Sequence, residues 1–243
     1  MQLTARDRVH GTAEENGDRQ GASVGAAGYL EVPSRMTDIG TRPTPGTPKG
    51  YGLLFAVLGP FACGYFLSYL LRNVNALISP DLVRTFQLEA SDLGLLTSAY
   101  FLTFALFHPL LGVLLDRFGP RRVEGSLLLI AAAGSLLFAW SNNTFLLITG
   151  RGLIGLGVSA CLMAGFQANA LWFSQQRLAG LNGWVLAAGG IGAVFSTAPV
   201  EWALEWIDWR MLFTLFAGAF AITSVLTFVL VPERREPPAH ATI

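Results

Sequence analysis

Six long apolar runs decide what this chain can fold into. They extend from Tyr51 to Leu71, from Ser91 to Leu115, from Val123 to Trp140, from Phe145 to Phe173, from Leu178 to Leu204 and from Met211 to Val231. The first has a mixed continuation through Asn73 and Asn75 to Ser79. A bilayer core about 30 Å thick takes roughly 20 apolar residues per helix, and each run is near that length. The expected fold is an all-α membrane protein whose six transmembrane helices occupy residues 51–231. A polar N-terminal tail at 1–50 and a cytoplasmic tail at 232–243 would flank them.

Composition agrees. Of 243 residues, 52% are hydrophobic and 13% charged, against about 25% charged in soluble domains. The charges crowd into the first fifty residues, from Arg6, Asp7 and Arg8 to Asp38, Arg42 and Lys49, so the apolar body is poorer still. Formal net charge is zero, so a polyanionic partner such as nucleic acid is not expected. Residues 1–50 mix Gly, Pro, Thr and both charge signs, a composition that favours disorder. They lack the basic start and short apolar core of a signal peptide, and Met36 opens a plausible shorter start. Cys63 and Cys161 lie in apolar runs and read as two buried, reduced thiols. Neither they nor His10, His108 and His240 have metal-site spacing, so no metal and no cofactor is expected.

Arg and Lys set the orientation. The connection between spans two and three holds Arg117, Arg121 and Arg122, that between four and five holds Arg177, and Arg234 and Arg235 follow span six. The other side has Arg84 and Arg210 among Asp81, Glu89, Asp92, Glu201, Glu205 and Asp208. Both termini are therefore expected in the cytoplasm. Trp140, Trp202, Trp206 and Trp209 fall near the outer ends, where amphipathic rings prefer the interface. Glycines recur in span four (Gly150, Gly152, Gly155, Gly157) and span five (Gly183, Gly189, Gly190, Gly192). Small residues let membrane helices approach closely, so spans four and five are expected to pack tightly together.

The most specific stretch is Gly112-Val-Leu-Leu-Asp116-Arg117-Phe-Gly119-Pro-Arg121-Arg122. It resembles the Gly-x-x-x-Asp-Arg-x-Gly-x-Arg-Arg loop signature of the major facilitator superfamily, between helices two and three. Gly112 allows close contact, Gly119 permits a tight turn, and Asp116 can pair with arginines. Arg151-Gly-Leu-Ile-Gly155-Leu-Gly157 resembles the family's helix-four signature, and Asp208-Trp209-Arg210-Met-Leu-Phe213 its start of helix six. The resemblance runs over about residues 50–236 and implies the N-terminal six-helix half of a twelve-helix carrier, with residues 232–243 resembling the start of the central cytoplasmic linker. It also implies that Gly112, Asp116, Arg117, Gly119, Arg121 and Arg122 form a loop gating the cytoplasmic side. The glycine–proline pattern of helix five in drug antiporters is not met, since Pro199 stands out of place.

An ionisable residue inside the membrane is a functional hypothesis by default. Tyr69-Leu-Leu-Arg72 resembles the Tyr-Leu-x-Arg of organophosphate/phosphate antiporters and related organic-anion transporters, which implies that Arg72 faces the cavity and binds the anion. A guanidinium's planar fork of donors suits phosphate or carboxylate. The competing reading is an arginine snorkelling to the interface from a helix that ends at Leu71. Asn73 and Asn75 could line the same cavity or cap a helix end. Arg151 is expected to give the cavity polarity, or to snorkel. Gln167 could bond substrate, and with Asn169 it could equally bond other helices. His108 reads as a packed, neutral ring. No Asp or Glu stands mid-span, Glu124 and Glu201 lying near span ends, so the cavity is expected to be net positive and to favour an anion.

The resulting expectation is a secondary transporter of a small organic or inorganic anion working by alternating access, in a bacterial inner (plasma) membrane. One half cannot form both cavity walls, so a second six-helix half is expected as partner, another copy or a separate chain, unless the chain is a truncated product. The alternative is a non-transporting sensor or assembly partner on the same scaffold. A membrane enzyme is excluded by the absence of His-Glu-x-x-His spacing, a Gly-x-Ser-x-Gly elbow and paired intramembrane carboxylates.

Overall fold

The computed structural model describes residues 51–233. The expectations for the N-terminal tail, Met36, His10, His240 and the segment past Glu233 lie outside the described residues. Eight helices follow in order: α1 Tyr51–Phe86, α2 Ala90–Phe118, α3 Pro120–Ala139, α4 Thr144–Gly157, α5 Cys161–Trp172, α6 Gln175–Phe195, α7 Ala198–Leu204 and α8 Trp209–Leu230. No strand occurs among the described residues. Helices α4 and α5 continue one another across a turn at Val158–Ala160 and make one span, Thr144–Trp172. With α1, α2, α3, α6 and α8 this gives six helical spans long and apolar enough to cross a bilayer.

Local chemistry ends the helices where the sequence changes. Asn143 accepts from the Leu146 N–H at 2.9 Å and caps α4. Asp208 accepts from the Met211 N–H at 2.8 Å and caps α8. A capping oxygen satisfies one of the orphan donors of a first helical turn. Gly119 turns the chain from α2 into α3 at φ +79°, a region open to glycine, and Pro120 then opens α3. Pro199 similarly opens α7, so the fifth apolar run breaks after Phe195 instead of continuing to Leu204.

Two expectations about packing change. Span four packs chiefly on α3 and α2, and span five on α1, more than four and five on each other. The glycines account for this. A Cβ on Gly150 would lie 2.9 Å from the Phe138 nitrogen, one on Gly134 2.8 Å from the Ile154 nitrogen, and one on Gly155 would run into the Tyr100 carbonyl. Gly189 and Gly192 meet Tyr65 and the Phe66 carbonyl on α1. Each glycine fixes a seam with the helix it touches, and sequence spacing does not name that helix. The second change concerns the thiols. Cys161 is buried but Cys63 is exposed, its Sγ lying 3.4 Å from Thr223 Oγ1.

On α8 the buried residues Phe213, Phe216, Phe220, Ser224 and Thr227 recur at three- and four-residue steps, the stripe of a helix with one packed face. That face meets α3 and α1. The spans left most open are α2 and α6.

Candidate functional site

Helix α1 is continuous for 36 residues, roughly 54 Å at 1.5 Å per residue. Arg72 therefore stands within a helix that does not end at Leu71. Its backbone places it at a cavity of about 790 Å³ formed by α1, α2 and the α6–α7 junction. Arg72, Asn73, Asn75, Thr97, Thr197 and Glu201 supply most of the polar lining, and Leu93 and Phe101 part of the apolar wall. The guanidinium is framed by aromatic faces, 4.7 Å from the Tyr69 ring centroid, 5.1 Å from Phe104 and 5.9 Å from Phe101. Such rings hold a cation by their quadrupole and leave its N–H edge free for an anion. Arg72 Nε is buried and has no hydrogen-bond partner. Asn75 donates from Nδ2 to Thr97 Oγ1 at 3.4 Å, while its Oδ1 is unpartnered.

The remaining predicted residues sit elsewhere. Arg151 is buried against α1 and donates to the Arg72 carbonyl at 3.4 Å. Its guanidinium lies 5.0 Å from the Tyr100 ring centroid, and its Nε and Nη1 are unpartnered. It supports the α1 backbone at Arg72 from behind and does not line the cavity. Gln167 is distant from Asn73 and Asn75 in the fold: its Nε2 lies 3.5 Å from Asp116 Oδ1, at the α2–α3 turn. Asn169 donates to Asn182 Oδ1 at 2.9 Å and ties α5 to α6, the structural reading of a buried amide. His108 Nδ1 lies 2.9 Å from the Phe104 carbonyl and its ring packs on Phe104.

The turn with the loop signature is tied to the end of α8. Arg121 donates to the Phe228 carbonyl, and Arg122 pairs with Glu233 at 2.5 Å. Arg117 lies over the Phe118 ring at 5.3 Å. Asp116 is exposed and meets Gln167, where an arginine was expected. Gly112 faces open space, with nothing near a Cβ placed there, so its close contact is not made among the described residues.

Sequence reasoning missed part of the site. Glu201 lines the same cavity as Arg72, so the lining is of mixed charge and not purely positive. The break before Pro199 is what brings Glu201 to the cavity, and only the Ser196-Thr197-Ala-Pro199 run hinted at it. Thr97, Phe101 and Phe104 come from α2, whose facing toward α1 is a tertiary matter. Glu124 is one turn into α3, as its position suggested, yet it is fully buried with both carboxyl oxygens unpartnered.

The sequence of residues 61–242 matches the family described as Major Facilitator Superfamily. With this match and six membrane-length helices, the chain belongs to the Major Facilitator Superfamily of membrane transporters. Among its relatives, it is similar to a galacturonate transporter of Dickeya chrysanthemi, 25% identical over 178 residues, covering 73% of this chain and 51% of that one. It is similar also to a hexuronate transporter of Escherichia coli, 24% identical, covering 79% and 44% respectively. An uncharacterized transporter of Bacillus subtilis, YybO, is 30% identical over 73% of this chain and 40% of its own length. The chain spans about half the length of the curated relatives it matches.

Proposed function

We propose that this chain supplies the substrate-binding wall of a secondary transporter for a small organic anion of the sugar-acid class, working by alternating access. The observation that carries this reading is Arg72, set among aromatic rings at the edge of a polar cavity with its Nε unpartnered. A carboxylate matches the guanidinium fork through two parallel charge-assisted hydrogen bonds. The amides of Asn73 and Asn75 and the side chains of Thr97 and Glu201 then offer partners for hydroxyls of the same molecule. The names of the two sugar-acid transporters among the relatives point the same way.

Arg151 acts as a positioning residue through the Arg72 carbonyl. Gln167 belongs with the gate: beside Asp116 it serves the loop made by Gly112, Asp116, Arg117, Gly119, Arg121 and Arg122. That loop locks the cytoplasmic side, in a bacterial inner (plasma) membrane with both termini cytoplasmic. In this fold the site lies between two six-helix halves, so transport needs a second half. The test is equilibrium binding and vesicle uptake of labelled galacturonate by the reconstituted chain, with glucose as the neutral competitor. Saturable galacturonate binding that glucose does not displace supports the reading. Equal displacement by glucose overturns the anion assignment, and binding without uptake even when a second six-helix half is supplied identifies a sensor.

A further inference from the structure

Glu124 is the buried acid that the anion site does not use. It is fully enclosed by the half-bundle itself, so a second half cannot uncover it or add a partner. Its Oε1 occupies a notch in α1 that exists because residue 64 is glycine: a Cβ there would collide with that oxygen. The same missing Cβ would lie 3.7 Å from Cys161 Sγ on α5. Three helices thus meet at one carboxyl. The α8 hydroxyls close by are committed to backbone carbonyls: Ser224 to Gly125 at 2.7 Å, Thr223 to Ala219 at 2.8 Å and Thr227 to Thr223 at 2.8 Å. The titratable groups toward this seam are Cys63 and Tyr65 from α1 and Cys161 from α5, and α8 presents none. Asp116 and Arg117 at the end of α2 are exposed, and α3's own Arg121 and Arg122 are held by Phe228 and Glu233. No cation reaches Glu124 among the described residues.

An uncompensated carboxylate in a dry site is too costly to persist, and such groups take up a proton. A leucine would fill the space at no such cost, so the acid marks a function. We propose that Glu124 is a proton-binding site of the carrier, carrying its proton while Gly64 of α1 closes over the carboxyl and releasing it when α1 moves away. On release the O–H bond breaks, its electron pair stays on the carboxylate, and an entering water takes the proton to become hydronium. The same helix carries Gly64 and, eight residues on, Arg72, roughly 12 Å along the axis. Movement of α1 that admits water to Glu124 therefore also moves the anion-binding guanidinium, which joins proton and anion in one step.

The linkage to transport rests on the sugar-acid reading, whereas the proton site stands without it. Infrared spectra of the reconstituted chain are the first measurement. A protonated-carboxyl band at neutral pH that is lost in Glu124→Gln supports the proposal, and its absence from the unsubstituted chain overturns it. Labelling of the unsubstituted chain with a hydrophobic carbodiimide, mapped by peptide mass, needs no variant. Modification at Glu124 ahead of the exposed Glu201 and Glu205 supports the proposal, and modification of those two alone overturns it. In vesicles, one proton per anion gives about tenfold accumulation of galacturonate for each pH unit of imposed gradient. Loss of that accumulation in Glu124→Gln, with exchange of internal for external galacturonate retained, supports the linkage. Undiminished accumulation in the variant overturns it. Absence of saturable galacturonate binding by the unsubstituted chain sinks the sugar-acid reading instead, and the band and the label then decide the proton site.

Discussion

At the scale of single residues, the question is what a guanidinium inside an apolar helix is for. Arg72 has three aromatic rings around it and a half-buried position facing a cavity. Replacement by lysine keeps the charge and removes the planar fork. Hydrogen bonds to charged groups are worth about 1.5–3 kcal/mol each, so Arg72→Lys is expected to weaken galacturonate binding by roughly 10- to 100-fold. The unfolding midpoint in detergent should hardly move, because the cation over the rings is preserved. Titration calorimetry with an unchanged affinity would remove Arg72 from the site. Arg72, Asn73 and Asn75 were legible in the sequence because polar side chains are conspicuous in an apolar run. Thr97 and Glu201 were not, since nothing local says which way α2 faces or that the chain folds back after Ser196. Glu124 shows the same limit from the other side. Its place near a helix start is plain, but its burial depends on a notch at Gly64, sixty residues away.

At the scale of elements, the six spans follow from hydrophobic length alone, and their ends from Asn143, Asp208, Gly119 and Pro199. The seams do not, because a run of glycines announces close approach without naming the partner. Gly152 and Gly155 separate these effects within one turn of α4. A methyl group on Gly155 meets the Tyr100 carbonyl, a backbone atom that cannot rotate away, whereas on Gly152 the nearest atom is Thr103 Cγ2 at 3.4 Å. Gly155→Ala should destabilise by about 1–3 kcal/mol, the usual cost of overpacking. Gly152→Ala should be neutral or gain up to about 1 kcal/mol from helix propensity. Thermal unfolding of both variants in one detergent checks the order, and equal midpoints would mean the α2–α4 seam is looser than the geometry implies. The thiols offer a second reading of packing. Cys63 is exposed and Cys161 buried, so a lipid-soluble maleimide should modify Cys63 at least ten times faster, a ratio tied to thiol access.

At the scale of the whole molecule, an even number of spans brings the beginning of α1 and the end of α8 to the same face of the bilayer. On that face Arg121 and Arg122 hold the end of α8 to the α2–α3 turn, while Gly112 and most of α2 and α6 face outward with little packed on them. A cavity bounded on one side cannot pass a solute from one compartment to the other, so the proposed transport takes its second wall from another six-span body. If that body is a second copy, active units form by pairing in the plane of the membrane and their number depends on surface density. Diluting the chain into increasing amounts of lipid should then lower galacturonate uptake per chain. In the dissociated limit, pairs scale with the square of chain density by mass action. Galacturonate binding per chain should fall far less over the same series, because Arg72 and its neighbours are already assembled in each copy. Uptake per chain that stays constant from the densest to the sparsest vesicles would show that single chains suffice and would overturn pairing. Uptake that appears only when a different six-span chain is added would assign the second wall to that chain.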